Sequence, residues 1–137
     1  MDSKFQISVS HEEGRIPITV FHLKGNLDTN SYKQLEAQAR EAYQAGARAM
    51  LLDLHELRYV SSAGLQTLHV IFTLLRSAEA SPESDQTMKQ GLRDGTFHSP
   101  YFKLFKPTPA VLNVLKTTGF DMYLEIHSDF KEAVASF

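Results

Sequence analysis

Ser61 and Ser62 stand side by side ahead of Ala63, Gly64 and Leu65, where an apolar run gives way to helical spacing. A serine at a helix start can carry a phosphoryl group without disturbing the helix. The first N–H groups of a helix are unpaired and its dipole is positive there, so a dianion is tolerated or gains about 0.3–1 kcal/mol. A phosphoserine adds about 1.5 to 2 negative charges and three acceptor oxygens. Where a serine so placed lies in a contact surface, such a group would act by placing charge and bulk in that contact. Leaving an unpaired dianion desolvated in an interface costs on the order of several kcal/mol, enough to switch binding. The competing use of a serine at this place is N-capping, for helix stability alone.

Other chemistry-bearing residues make no familiar constellation. His11, His22, His55, His69, His98 and His127 are scattered, without an HExxH pair or comparable metal spacing. GxSxG, GxGxxG and P-loop motifs are absent. Asp53 and His55 alternate at the end of an apolar strand, where Asp reads as a turn-former, and His22 and His69 read as structural histidines. The chain has no cysteine, which removes thiolate metal sites, disulfides and cysteine nucleophiles. The expectation is a protein with no metal, no cofactor and no catalytic residues.

The elements that must position the serines are legible from spacing. Phe5, Ile7 and Val9 alternate with Gln6 and Ser8, His11–Gly14 reads as a turn, and Ile16–Leu23 reads as a second strand of a hairpin. Pro17 cannot donate to a ladder and so belongs where its strand has no neighbour to serve. Thr29 or Asn30 is placed to cap a helix that carries Tyr32, Leu35, Ala39, Ala42 and Tyr43 on one face and stops at Gly46. Ala49–Leu54 has the unbroken apolar character of a buried parallel strand. His55–Tyr59 follows as a loop, and a second helix, capped by Ser61 or Ser62, shows Leu65, Leu68, Phe72 and Leu75 to the core. Val70 and Leu74 project the other way, toward a partner or toward cover from a later segment. Tyr101–Phe105 is a strand, a helix begins near Pro109, Met122–Ile126 is a last strand, and Ser128 caps a final helix with Phe130, Val134 and Phe137. Residues 79–100 are polar and aperiodic, long for a loop inside a domain.

The 137 residues suffice for one domain, and 42% hydrophobic with 22% charged residues excludes disordered and fibrous classes. With 14 basic and 16 acidic side chains the net charge is −2, too small a bias to point to nucleic acid or an anionic membrane. No apolar run reaches the roughly 18 residues of a membrane span, and the opening MDSKFQ is polar where a signal peptide needs an apolar stretch. A cytoplasmic location is expected. Alternating strands and helices give an α/β class with a small mixed sheet.

Residues 51–68, LLDLHELRYVSSAGLQTL, resemble the signature of STAS domains of the anti-sigma factor antagonist type. The resemblance rests on Asp53-Leu54, Tyr59-Val60 and Ser61-Ser62-Ala63-Gly64-Leu65. The family's order extends to GNLDTNSYKQLE before the first helix and to KLFKPTPAVLNVLKTTGFDMYLEIHSDFKEAV at the end. It implies one STAS-like domain over residues 1–137, with a four- to five-stranded mixed sheet, about four helices and an inserted loop at 79–100. It also implies a bacterial phosphoprotein of signal transduction and transcription regulation that works by partner switching. The partners it implies are an anti-sigma factor or switch-type serine kinase and a PP2C-type phosphatase. The family's phosphoacceptor lies two residues before the glycine and falls on Ser62. The preceding position, often Asp in the family, is Ser61, which stands as neighbour or substitute. Asp28, Thr29, Ser61, Ser62, Ala63, Gly64, Gln66, Val70 and Leu74 are then the expected partner surface. The alternative is a non-phosphorylated STAS module that senses a nucleotide or lipid, or is a structural piece of a signalling complex.

Overall fold

A computed structural model describes residues 5–77 and 99–137. Its five strands form one sheet in the order β1-β2-β3-β4-β5. β1 (Gln6–Glu13) pairs antiparallel with β2 (Pro17–Leu27). β2 runs parallel to β3 (Met50–Val60), then come β4 (Phe102–Phe105) and β5 (Ile126–His127), also parallel. The helices among the described residues are α1 (Tyr32–Gln44), α2 (Ser62–Ser77), α3 (Pro109–Thr117) and α4 (Phe130–Ala135). The mixed α/β class and five-stranded sheet match the sequence expectation. The inserted loop expected at 79–100 lies outside the described residues, apart from Ser99 and Pro100.

Alternation along the strands divides the core in two. Phe21, Leu23, Met50, Leu52, Phe102 and Leu104 pack with buried residues of α1, α2 and α3, including Leu35, Leu68, Phe72, Val111 and Leu115. Ile18, Val20 and Leu51 face the opposite way and meet Ala133, Phe130, Val134 and Phe137 from the C-terminal end. Lys103 is buried on this second side, where its ammonium donates to the Ser136 carbonyl at 2.8 Å and pairs with Glu125 at 3.2 Å. That link fixes the end of α4 to the sheet.

Several boundaries differ from the sequence expectation. The hairpin turn is at residues 14–16, because His11 and Glu12 pair with Thr19 and Ile18 and carry β1 on to Glu13. Pro17 stands first in β2, where its missing N–H costs little. Residues 55–59 are strand, not loop. Two register shifts, between the His22–Asp53 and Lys24–Glu56 pairs and between Gly25–Leu57 and Asn26–Tyr59, put extra residues into β3. Each bulge resets the alternation, so only Leu57 and Val60 stay buried beyond Leu54, a spacing that no simple period detects. Residues 120–122 form a 3-10 turn, and the last strand is reduced to Ile126–His127. The N-caps also move. Ser31 precedes α1 in place of Thr29 or Asn30, with its hydroxyl turned to the Asn26 carbonyl at 2.7 Å. Asp129 caps α4 in place of Ser128.

No helix among the described residues is long and apolar enough to cross a membrane.

Candidate functional site

The parallel strands β2 and β3 end together, at the paired residues Leu27 and Val60. From these ends leave the turn at Asp28 and Thr29 and the start of α2. The two are held side by side by the Ser61 N–H, which donates to the Leu27 carbonyl at 2.9 Å. Gly64 lets the helix press against the strand end. A Cβ there would lie 2.7 Å from the Leu27 carbonyl oxygen and 2.7 Å from Val60 Cγ2, closer than any side chain can sit. The glycine is required by close approach.

The two serines have different jobs. Ser61 is the cap: its Oγ accepts from the Gly64 N–H at 3.3 Å, and its carbonyl accepts from the Leu65 N–H at 2.9 Å. Ser62 is the first residue of α2, is exposed, and makes no side-chain hydrogen bond among the described residues. The capping role thus belongs to Ser61 and leaves the Ser62 hydroxyl free. Beside them, Asp28 closes its turn by accepting the Asn30 N–H at 2.9 Å on Oδ1, while its own N–H donates to Ser31 Oγ at 2.9 Å. Thr29 and Asn30 are exposed at the tip.

Of the expected surface residues, Asp28, Thr29, Ser61 and Ser62 are brought together, with Ala63 half-buried and Gly64 buried behind them. Gln66 lies one turn along α2 and is exposed. Val70 and Leu74 are half-buried, and at 1.5 Å per residue they lie about 12 and 18 Å from Ser62 along the helix. They do not join the serine cluster. Ser62, Gln66, His69 and Thr73 are all exposed and fall on one stripe of α2. Thr73 escaped the sequence reading, and His69, read there as a structural histidine, stands exposed on this stripe; helical spacing counted from Ser62 finds both. Tyr59, 53% exposed, stands three residues before Ser62 and adds an aromatic group at the same strand end.

A second polar cluster sits on the β1–β3 part of the sheet. Asp53, read from the sequence as a turn-former, is instead inside β3 and only 4% exposed. Its Oδ2 pairs with His22 Nδ1 and its Oδ1 with His55 Nδ1, both at 2.7 Å, and His22 Nε2 meets Ser10 Oγ at 2.8 Å. The sequence pairs only Asp53 with His55; the links to His22 and Ser10 are invisible there because they span 31 and 12 positions. Burial works to raise the Asp53 pKa, but the hydrogen bonds from His55 and His22 outweigh it and hold the carboxyl below its ordinary 3.8. A carboxyl depressed in the folded state stabilises it above that ordinary value, and the contribution is lost as pH falls through the folded value. Urea titrations are therefore expected to show Asp53→Asn less stable than wild type at pH 7 by about 1–3 kcal/mol. The gap should shrink below pH 3.8; a gap that stays constant there contradicts a charged Asp53. No group of three or more ligating side chains among the described residues is arranged to hold a metal ion.

The sequence matches the STAS domain family model over residues 9–81, more than half of the chain. Comparison with curated proteins finds no match. Among solved structures, the chain is similar to an anti-sigma factor antagonist from Mycobacterium paratuberculosis. That similarity has a TM-score of 0.72 and 15% identity, covering 99% of this chain and 96% of the other. It is similar to the anti-sigma factor antagonist SpoIIAA in unphosphorylated form, at 0.65 and 17% identity, covering 96% and 93%. The phosphorylated form of SpoIIAA, from Bacillus, matches at 0.59 and 16% identity, covering 93% and 96%. At such identities the likeness is one of fold. The family match and the shared five-stranded architecture agree, and this chain belongs to the STAS domain family.

Proposed function

We propose that the chain is an anti-sigma factor antagonist-type binding module of a phosphorylation-controlled partner switch. Unphosphorylated, it binds an anti-sigma factor or switch-type serine kinase through the ends of β2 and β3 and the first turns of α2. Phosphorylation of Ser62 releases the partner, and a PP2C-type phosphatase restores binding. The observation that carries this reading is the division of labour between the serines. Ser61 caps the helix, and Ser62 stands exposed and uncommitted at the first helical position. A phosphate there meets the unpaired N–H groups of the first turn, so the fold accepts it while the contact surface changes by about two charges. The fold shared with SpoIIAA, known in both phosphorylated and unphosphorylated forms, supports the same reading. Intact-mass measurement after incubation with ATP and a switch-type serine kinase that binds the chain tests the proposal. One added phosphate is expected, retained in Ser61→Ala, absent in Ser62→Ala and removed by a PP2C-type phosphatase. No phosphate with that kinase overturns it.

One observation favours the alternative of a ligand-holding module without phosphorylation. A cleft of about 650 Å³ opens at the other end of the parallel strands, lined by Ile16, Pro17, Ile18, Arg48, Leu75 and Tyr101 among others. A mostly apolar lining that also holds Arg48, Glu13 and His11 suits a small amphipathic molecule.

A further inference from the structure

The Ser10–His22–Asp53 chain has the order and spacing of a nucleophile, a base and an orienting carboxylate. Each link is within hydrogen-bond reach, 2.8 Å from Ser10 Oγ to His22 Nε2 and 2.7 Å from His22 Nδ1 to Asp53 Oδ2. The sheet builds it. His22 and Asp53 are register partners on adjacent parallel strands, and Ser10 stands diagonally across the antiparallel pair, two residues from His22's own partner Ser8. Asp53 is locked from its other side, where Oδ1 takes both the ring Nδ1 and the backbone N–H of His55, at 2.7 and 3.2 Å. Only Oδ2 is left to orient His22. A charged carboxylate can accept but not donate, so His22 keeps a proton on Nδ1, and in its neutral form the Nε2 lone pair faces the Ser10 hydroxyl. Ser10 is then the donor to its own base. The His22 side chain remains 33% exposed, so the end of the chain is open to a reactant. A cleft of about 520 Å³, lined by Gln6, Ser8, Lys24 and Glu56 among others, reaches His22 from the side away from Ser10.

We propose that Ser10 is a base-activated nucleophile that accepts the acyl group of small activated esters. Ser10 Oγ bonds to the acyl carbon as its proton passes to His22 Nε2. The carbon–oxygen bond to the leaving group then breaks, and the departing oxygen takes that proton. Water, deprotonated by the same nitrogen, later cleaves the acyl-serine, releases the acid and restores Ser10. No oxidant, reductant or metal enters. This reactivity is independent of Ser62, which lies off the end of β3 and not on the face that carries Ser10.

The test uses the full chain with a fluorophosphonate probe and with p-nitrophenyl acetate, and maps the adduct by peptide mass spectrometry. The expected result is one adduct on Ser10, absent in Ser10→Ala and unchanged in Ser128→Ala, an exposed serine away from the cluster. His22→Gln should slow labelling and ester turnover by about 100-fold or more. Melting curves accompany each variant, and Ser10→Ala, which leaves the Asp53 pairs intact, keeps the test valid if Asp53→Asn unfolds. No adduct on Ser10, an adduct on other serines, or equal labelling in a folded His22→Gln protein overturns the proposal and leaves the cluster a structural cross-strand network.

Discussion

Ser62→Asp is expected to weaken partner binding by about 100-fold or more while leaving the melting temperature unchanged or slightly raised. The two halves of this expectation come from different surroundings of one side chain. Toward the fold, residue 62 is exposed and heads a helix of 16 residues, so a carboxylate gains about 0.3–1 kcal/mol from the dipole and the free N–H groups. At the proposed partner surface, the same carboxylate stands beside Asp28, Thr29 and Tyr59, and a contact made there would have to desolvate a charge without a counter-charge. Ser61→Ala is the control with the opposite signature. It removes the cap and costs about 0.5–1 kcal/mol in stability, at the lower part of the usual range because the Ser61–Gly64 bond is long at 3.3 Å. Calorimetric titration against the anti-sigma factor, paired with thermal melts, separates the two. A marked drop in melting temperature for Ser62→Asp would show that the residue packs against the fold. Undiminished affinity would place the switch elsewhere.

Gly64→Ala is expected to lower stability by about 1–3 kcal/mol, or roughly 4–12 °C in melting temperature for a chain of this size. The added methyl would stand 2.7 Å from the Leu27 carbonyl oxygen, 2.7 Å from Val60 Cγ2 and 2.9 Å from Leu27 Cγ. A side-chain end can rotate aside, but the carbonyl belongs to the sheet and also accepts the Ser61 N–H. Relief therefore requires α2 to move away from β2, which lengthens that bond and separates Ser62 from the Asp28 turn. Partner affinity should fall along with stability, unlike in Ser62→Asp, where stability holds. Differential scanning calorimetry and the same titration read both effects. A Gly64→Ala protein as stable as wild type would contradict the close approach.

Much of the scaffold was legible because it depends on local repetition. The hairpin, the buried run at residues 49–54, the apolar face of α1, its stop at Gly46 and the Pro109 helix start each express a short-range rule. The extension of β3 was not legible, since two bulges break the alternation by which a strand is recognised. The N-caps moved by one or two positions because several polar residues cluster at each helix start, and tertiary contacts choose among them. Ser31 illustrates this, with its hydroxyl drawn off to the Asn26 carbonyl.

The sequence by itself determined the α/β class, the order of the elements, the resemblance to STAS domains and the placing of two serines at the start of α2. These follow from composition, periodicity and a short motif, all carried by neighbours along the chain. Only the tertiary structure decided which serine caps and which is free, because that depends on how α2 settles on the Leu27 carbonyl. Only it joined Ser10, His22 and Asp53, since strand register, not sequence distance, sets which side chains share a hydrogen bond.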